Sequence, residues 1–177
     1  VVDDRVVYVG NYFSDAVEVV RFTSDWHTEN KLLQLGQEQE ATPERLGEIY
    51  FNDAALCFQN WLSCATCHPD ARTDGLNWDL MNDGIGNPKN VKSMLYAHKT
   101  PRAMWLGVRD DAETAVRAGI RHIQFAVRPE EDSLAIDAYL KSLTPIPSPH
   151  LVNEKLSDSA KRGEQIFEQV GCASCHP

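Results

Sequence analysis

The sequence predicts a mainly α fold preceded by a short β segment, and three observations carry that reading. Helix signals, from capping residues to acid-rich starts, recur over residues 44–51, 112–120 and 130–143. Residues 1–36 hold instead runs of β-branched and aromatic side chains. The pattern C-x-x-C-H occurs twice, as Cys64-Ala65-Thr66-Cys67-His68 and as Cys172-Ala173-Ser174-Cys175-His176, each followed by proline. That pattern is the attachment signal for c-type haem. Two thiols one turn apart can each add to a vinyl group on the same porphyrin edge, and the next histidine is then held under the iron as its proximal ligand. The rival chemistries fit less well. A zinc site needs four ligands close in space at finger or ribbon spacings, whereas each pair here is far from the other and carries its own histidine. A thioredoxin-like dithiol would follow a strand in a βαβ pattern, which does not surround Cys64. Cys57 has no partner in sequence and reads as a small buried apolar residue.

The β segment comes first. Arg5 to Tyr12 forms one strand, Phe13-Ser14-Asp15-Ala16 a turn, Val17 to Phe22 a second strand, and Asn30 to Leu35 a third that ends at Gly36. The near-continuous apolar run Val6–Val9 predicts a strand covered on both faces. Tyr8-Val9-Gly10-Asn11 resembles the Y-V-T-N repeat of a bacterial β-propeller family. That resemblance implies the last blade of a propeller over residues 1–36; a local hairpin packed on the next domain is the alternative.

A polar linker leads to Thr42, a helix N-cap, and to Pro43, which suits the first helical position. Leu46, Ile49 and Tyr50 then share one face of a helix over 44–51. The first haem motif follows, and after it a loop-rich stretch over 69–92 with turn signals at Asp74-Gly75, Asp83-Gly84 and Asn87-Pro88. Ser93 to His98 is a short apolar turn, broken by Thr100-Pro101. Asp110 or Asp111 caps a helix running through Ile120. The last helix, Glu130 to Leu143, opens on acids that suit its dipole. Thr144 to Pro149 is a stiff proline-rich connector. Beyond it, Gly163-Glu164-Gln165-Ile166-Phe167 repeats the Gly47-Glu48-Ile49-Tyr50-Phe51 prelude ahead of Cys172. The chain therefore reads as a β segment (1–36), a complete haem domain (37–147), and a linker with the start of a truncated second haem domain (148–177). It opens in a strand-like run and closes straight after a haem motif, so a longer parent protein with an upstream targeting segment is expected.

Composition narrows the function. The formal net charge of −9 argues against nucleic acid as a partner. No apolar run approaches the ~20 residues of a membrane span. A small redox protein, as electron donor or acceptor, is the expected partner. What is general to c-type cytochromes, rather than composition, implies a periplasmic or otherwise extracytoplasmic place in a bacterium.

The iron's remaining face decides the chemistry. Two strong ligands favour electron transfer, whereas an open position admits peroxide. Met81, Met94, His98, Met104 and His122 all lie downstream of His68, and composition alone does not choose among them.

A helix before the motif and a final Ala138-Tyr139-Leu140-Lys141-Ser142-Leu143 helix is the layout of cytochrome c domains. In that layout a small residue lets an aromatic on the crossing helix approach, parts that Gly47 and Tyr139 fill. The stretch from Leu46 to Leu143 resembles a haem domain of the di-haem cytochrome c peroxidase family, which includes the maturation enzyme of tryptophan tryptophylquinone. The matching residues are Leu46 to Asp53, Ser63 to His68, Thr73-Asp74-Gly75, Thr100-Pro101 and Met104-Trp105-Leu106-Gly107. The resemblance implies Met104 as distal ligand, with His98 or His122 as alternatives, and Trp105 beside the haem on a path between two haems. It implies two haem c groups in the intact protein, one of them completely housed here, with Cys172, Cys175 and His176 anchoring the second. Two departures bear on activity. The family's peroxidatic glutamate has no counterpart around Phe125-Ala126-Val127, and the histidine of its Gly-rich loop has none in Asp83-Gly84-Ile85-Gly86-Asn87-Pro88. Peroxide chemistry calls for such a general acid/base. Arg109 reads either as a charge stabiliser and propionate partner or as a solvated helix-start arginine. The function expected is therefore electron transfer in a peroxidase-like oxidoreductase. An active peroxidase, or a propeller-based surface protein carrying haem domains, is the alternative.

Overall fold

In the computed structural model, which describes residues 5–25, 27–37, 40–81 and 84–175, the β-branched runs pair as an antiparallel sheet. The sheet order is β1 (Val6–Asn11), β2 (Ala16–Phe22), β3 (Thr28–Gln34). Val9 faces Glu18, and Val17 faces Leu33. A single helical turn at Tyr12–Ser14 joins β1 to β2, and Asp15 completes it in the left-handed region at φ 48°. The expectation of a β1 covered on both faces is not met. Val6 is buried, but Val7, Tyr8 and Val9 stay exposed. β1 is an edge strand of a three-stranded sheet, and no second layer among the described residues covers its run.

The β1–β2 turn is fastened to the first helix, α1 (Pro43–Asn52). The Arg45 guanidinium lies 4.2 Å from the Tyr12 ring centroid and 5.1 Å from that of Phe13, within the range of cation–π attraction. It also donates to the Tyr12 carbonyl and pairs with Glu48 at 2.8 Å. α1 starts as its sequence dictates. The Thr42 hydroxyl accepts from the Arg45 amide at 3.2 Å, and Pro43 occupies the first turn, where its missing N–H costs nothing. Thr42→Ala should destabilise the protein by about 1 kcal/mol, measured as a lower denaturant midpoint with an unchanged slope.

Two further helices complete the frame, α3 (Ala112–His122) and α4 (Glu130–Ser142), after the short α2 (Cys64–Cys67). Asp111 is the cap of α3, its carboxylate accepting from the Thr114 amide at 2.7 Å. α1 crosses α4 at Gly47. A methyl group on Gly47 would lie 1.9 Å from the Ala135 carbonyl oxygen and 2.8 Å from Tyr139 Cβ. The Phe51 and Tyr139 rings meet one turn further on, with centroids 5.3 Å apart. Phe51, Ala71, Val116, Ile120, Ile136 and Leu140 form the core under this crossing. Between α3 and α4, Arg117 pairs with Asp137 at 2.8 Å and with Glu130. His98, in the single helical turn Ala97–Lys99, sits 3.7 Å from Asp137.

The chain divides into two compact units after Leu143, and the sheet belongs to the first. The second holds α5 (Asp158–Gln169), capped by the Ser157 hydroxyl on the Ala160 amide at 3.2 Å. Gly163 on α5 has no atom within 4 Å of where a Cβ would stand, and Ile166 and Phe167 are exposed. Cys172 and Cys175 are exposed free thiols, and His176 lies outside the described residues. No described helix is long and apolar enough to cross a membrane.

Candidate haem-binding site

The first C-x-x-C-H motif is the helix α2 together with the residue that ends it. Thr66 Oγ1 accepts from the Ser63 amide at 3.0 Å, which fixes the start of the turn, and the His68 amide closes on the Cys64 carbonyl at 2.9 Å. One helical turn thus sets Cys64 and Cys67 side by side with His68 next to them. All three line a cavity of about 420 Å³ in the first unit, a size typical of cofactor sites. Its apolar wall comes from Phe51, Val116, Ile120, Ile136 and Leu140, the same residues that build the core.

The site's own electrostatics suit a metal-binding imidazole. The Nδ1 of His68 lies 3.2 Å from the Arg72 carbonyl oxygen. A carbonyl can only accept, so Nδ1 carries the proton and Nε2 keeps its lone pair. Burial holds the imidazole's pKa below the ordinary 6.5, against the pull of the Arg72 and Lys92 carbonyls and the Asp74 carboxylate. The neutral ring is favoured in the fold. Its contribution to stability is therefore complete above about 6.5 and is lost only as pH falls through the lowered value. The haem-free chain's stability to denaturant should accordingly be insensitive to this imidazole above about pH 6.5 and should decline as pH falls below it toward the lowered value. Burial pushes the Cys64 thiol up to about 12, and burial with the Asp74 charge raises that of Cys67. Both thiols are therefore protonated and unpaired at neutral pH.

Among the sixth-ligand candidates, Met94 and Met104 line the cavity. Met94 also packs against the core, its amide bonded to the Ala71 carbonyl at 2.9 Å. Met104 stands in a loop closed by the Ala103–Arg109 bridge, at φ 72°. His98 and His122 are not in the wall; the His98 ring turns to Asp137 instead, while its neighbours Ala97 and Thr100 face the cavity. Met81 is exposed and outside the wall. Trp105 lines the cavity and is half exposed. Its indole donates to the Asn90 carbonyl at 3.0 Å, and Lys92 Nζ lies 3.5 Å from its ring centroid.

Sequence reading missed four lining residues. Among the described residues, Lys89, Lys92 and Arg102 are the wall's formally charged side chains, and no carboxylate joins them. They suit the propionates of a haem. Gln124 lines the same cavity, buried to 3% exposure, and its Oε1 has no partner among the described residues. The lone signal for it was one amide between Ile123 and Phe125 at the end of an apolar helix. Phe125 and Val127, where the family's peroxidatic acid would be sought, are exposed apolar residues.

Paired reduced thiols, a neutral imidazole, an apolar slot and a cationic border fit a covalently attached haem. A crossed-helix domain built around such a slot defines the class of c-type cytochromes. Within that class, the chain belongs to the di-haem cytochrome c peroxidase family, whose sequence model matches residues 41–147. The gamma subunit of hydrazine synthase from Kuenenia stuttgartiensis is 34% identical over 148 residues, covering 75% of this chain and 42% of that protein. The structure of Kuenenia stuttgartiensis hydrazine synthase pressurised with 20 bar xenon matches at 30% identity and a TM-score of 0.62, covering 80% of this chain and 50% of that one. The chain thus spans half or less of the length of these relatives. Members of this family bind haem c.

Proposed function

We propose that residues 37–147 hold one haem c and pass electrons through it, within a di-haem, cytochrome c peroxidase-like redox protein. In this reading Cys64 and Cys67 form the thioether bonds, His68 is the proximal ligand and Met104 the distal one. Cys172, Cys175 and His176 anchor the second haem, and Trp105 lies beside the first on the way between them. The bound group supplies reversible one-electron chemistry at iron. The chain's own residues orient its ligands, exclude water with the Phe51–Ile136 wall, and hold its propionates with Lys89, Lys92 and Arg102.

One observation carries electron transfer over peroxide reduction. Among the described residues, the cavity wall offers a methionine thioether and cationic side chains but no carboxylate to move a proton. Cleaving peroxide needs a group that takes and returns protons at the distal face. A relative that is a subunit of a larger synthase supports work inside an assembly, with another redox protein as donor or acceptor. Covalent haem attachment supports an extracytoplasmic location in a bacterium.

The test is spectroscopic. The matured full chain should be low-spin, with a methionine–iron charge-transfer band at the red end of the visible spectrum, and should be unchanged by added hydrogen peroxide. A high-spin first haem whose spectrum shifts rapidly with peroxide would establish the peroxidase instead.

A further inference from the structure

Gln124 is buried to 3% exposure, yet one of its two amide atoms has no partner among the described residues. Leaving a buried amide oxygen without a partner is destabilising, so packing alone does not account for the residue. Its main chain is clamped from three sides. The Gln124 carbonyl accepts from the Phe58 amide at 2.9 Å and from the Cys57 thiol at 3.3 Å, and its own amide donates to the Gly119 carbonyl at 3.0 Å. The side chain is thereby aimed at one target, with Nε2 lying 3.6 Å from Cys64 Sγ at the cavity wall.

From this geometry we infer that Gln124 is a positioning residue for the thioether bond at Cys64. The inference rests on the haem reading above and names the side chain that controls one of its two covalent links. The reaction adds Cys64 S–H across the vinyl C=C of iron protoporphyrin. The S–H bond and the vinyl π bond break. Sulfur bonds to the carbon next to the ring, and the proton goes to the terminal carbon, which becomes a methyl group. No electron is gained or lost. An amide serves both ends of this reaction. Its oxygen can accept the thiol proton before addition, and its N–H can donate to the sulfur afterwards, when that sulfur has become an acceptor only. The amide N–H also opposes the burial that suppresses ionisation of this thiol. In the free-thiol state of this structure the N–H faces Cys64 Sγ and the oxygen is idle, and a half-turn of the amide exchanges the two.

The experiment pairs Gln124→Met with each single-thiol background in the full chain, exported through a c-type cytochrome maturation system. Haem mass on the proteolytic peptide carrying residues 64–67 is the readout. In Cys67→Ala, where Cys64 alone can attach haem, Gln124→Met should lower haem on that peptide about five-fold, the factor expected for one lost hydrogen bond. In Cys64→Ala, where attachment runs through Cys67, the same change should have no effect. Gln124→Asn, which keeps an amide but withdraws it from the sulfur, should follow Gln124→Met. Equal losses in both backgrounds would reduce Gln124 to a packing residue, and no loss in either would also overturn the inference. If the unmutated peptide carried no haem at all, the haem reading itself would fall.

Discussion

Gly47→Ala should destabilise the first unit by about 3 kcal/mol or more, an overpacking cost at the upper end of the usual range. In an isolated helix the same substitution would gain ~1 kcal/mol. The clash decides the sign, because the added methyl carbon would stand 1.9 Å from the Ala135 carbonyl oxygen and 2.5 Å from its carbon. Backbone atoms cannot swing aside as a flexible side chain does. Relief requires α1 and α4 to separate, and Phe51 and Ile136, each only 1% exposed, would lose contact together. Both line the cavity, so covalent haem yield should fall along with the denaturant midpoint. Gly163→Ala is the matched control. On α5, among the described residues beyond the helix's own backbone, nothing lies within 4 Å of a Cβ at Gly163, and there alanine should be neutral or mildly stabilising. A Gly47→Ala protein as stable as the parent would mean that the crossing is looser than drawn.

Met104→His should lower the reduction potential of the first haem by on the order of tenths of a volt, a modest part of the ~0.8 V that axial ligands span. A thioether favours ferrous iron, and exchanging it for a second imidazole removes that preference. The methionine–iron band should disappear while the iron stays low-spin. The substitution suits the backbone as well. Met104 sits at φ 72°, a region where histidine is among the better-tolerated side chains and a β-branched residue is not. Met94→Leu provides the contrast. Met94 shares the cavity wall but packs on the core, so its loss should leave band and potential in place. If Met94→Leu erased the band and Met104→His did not, the assignment of the distal ligand would be reversed.

What could be read from the chain was whatever is decided locally. Thr42-Pro43 and Asp111 announce their helices because a cap bonds an amide three residues away. Gly47 and Tyr139 were legible as partners because their layout follows the family's, and Gly47 indeed lies against Tyr139 Cβ. The mainly α fold behind a β segment follows from such signals. The cavity wall did not. Lys89, Lys92, Arg102 and Gln124 meet only because the loops after α2 fold back over the slot, and nothing in their spacing records that. His98 shows the same limit from the other side. Its position in sequence made it a ligand candidate, whereas the fold turns its ring toward Asp137. The Val6–Val9 run carried the signature of a covered strand, but exposure depends on what lies across the sheet, which a strand's own residues do not specify.

The bond from His68 to the Arg72 main chain has a bearing on reactivity. A ring whose distal N–H leans on a neutral peptide oxygen stays close to ordinary imidazole in basicity; one leaning on an anionic acceptor moves toward imidazolate and donates more strongly. Stronger donation from the proximal side is what drives scission of an oxygen–oxygen bond. In the function proposed above, a peptide oxygen in that place would mute the proximal side and favour shuttling single electrons over splitting oxidants.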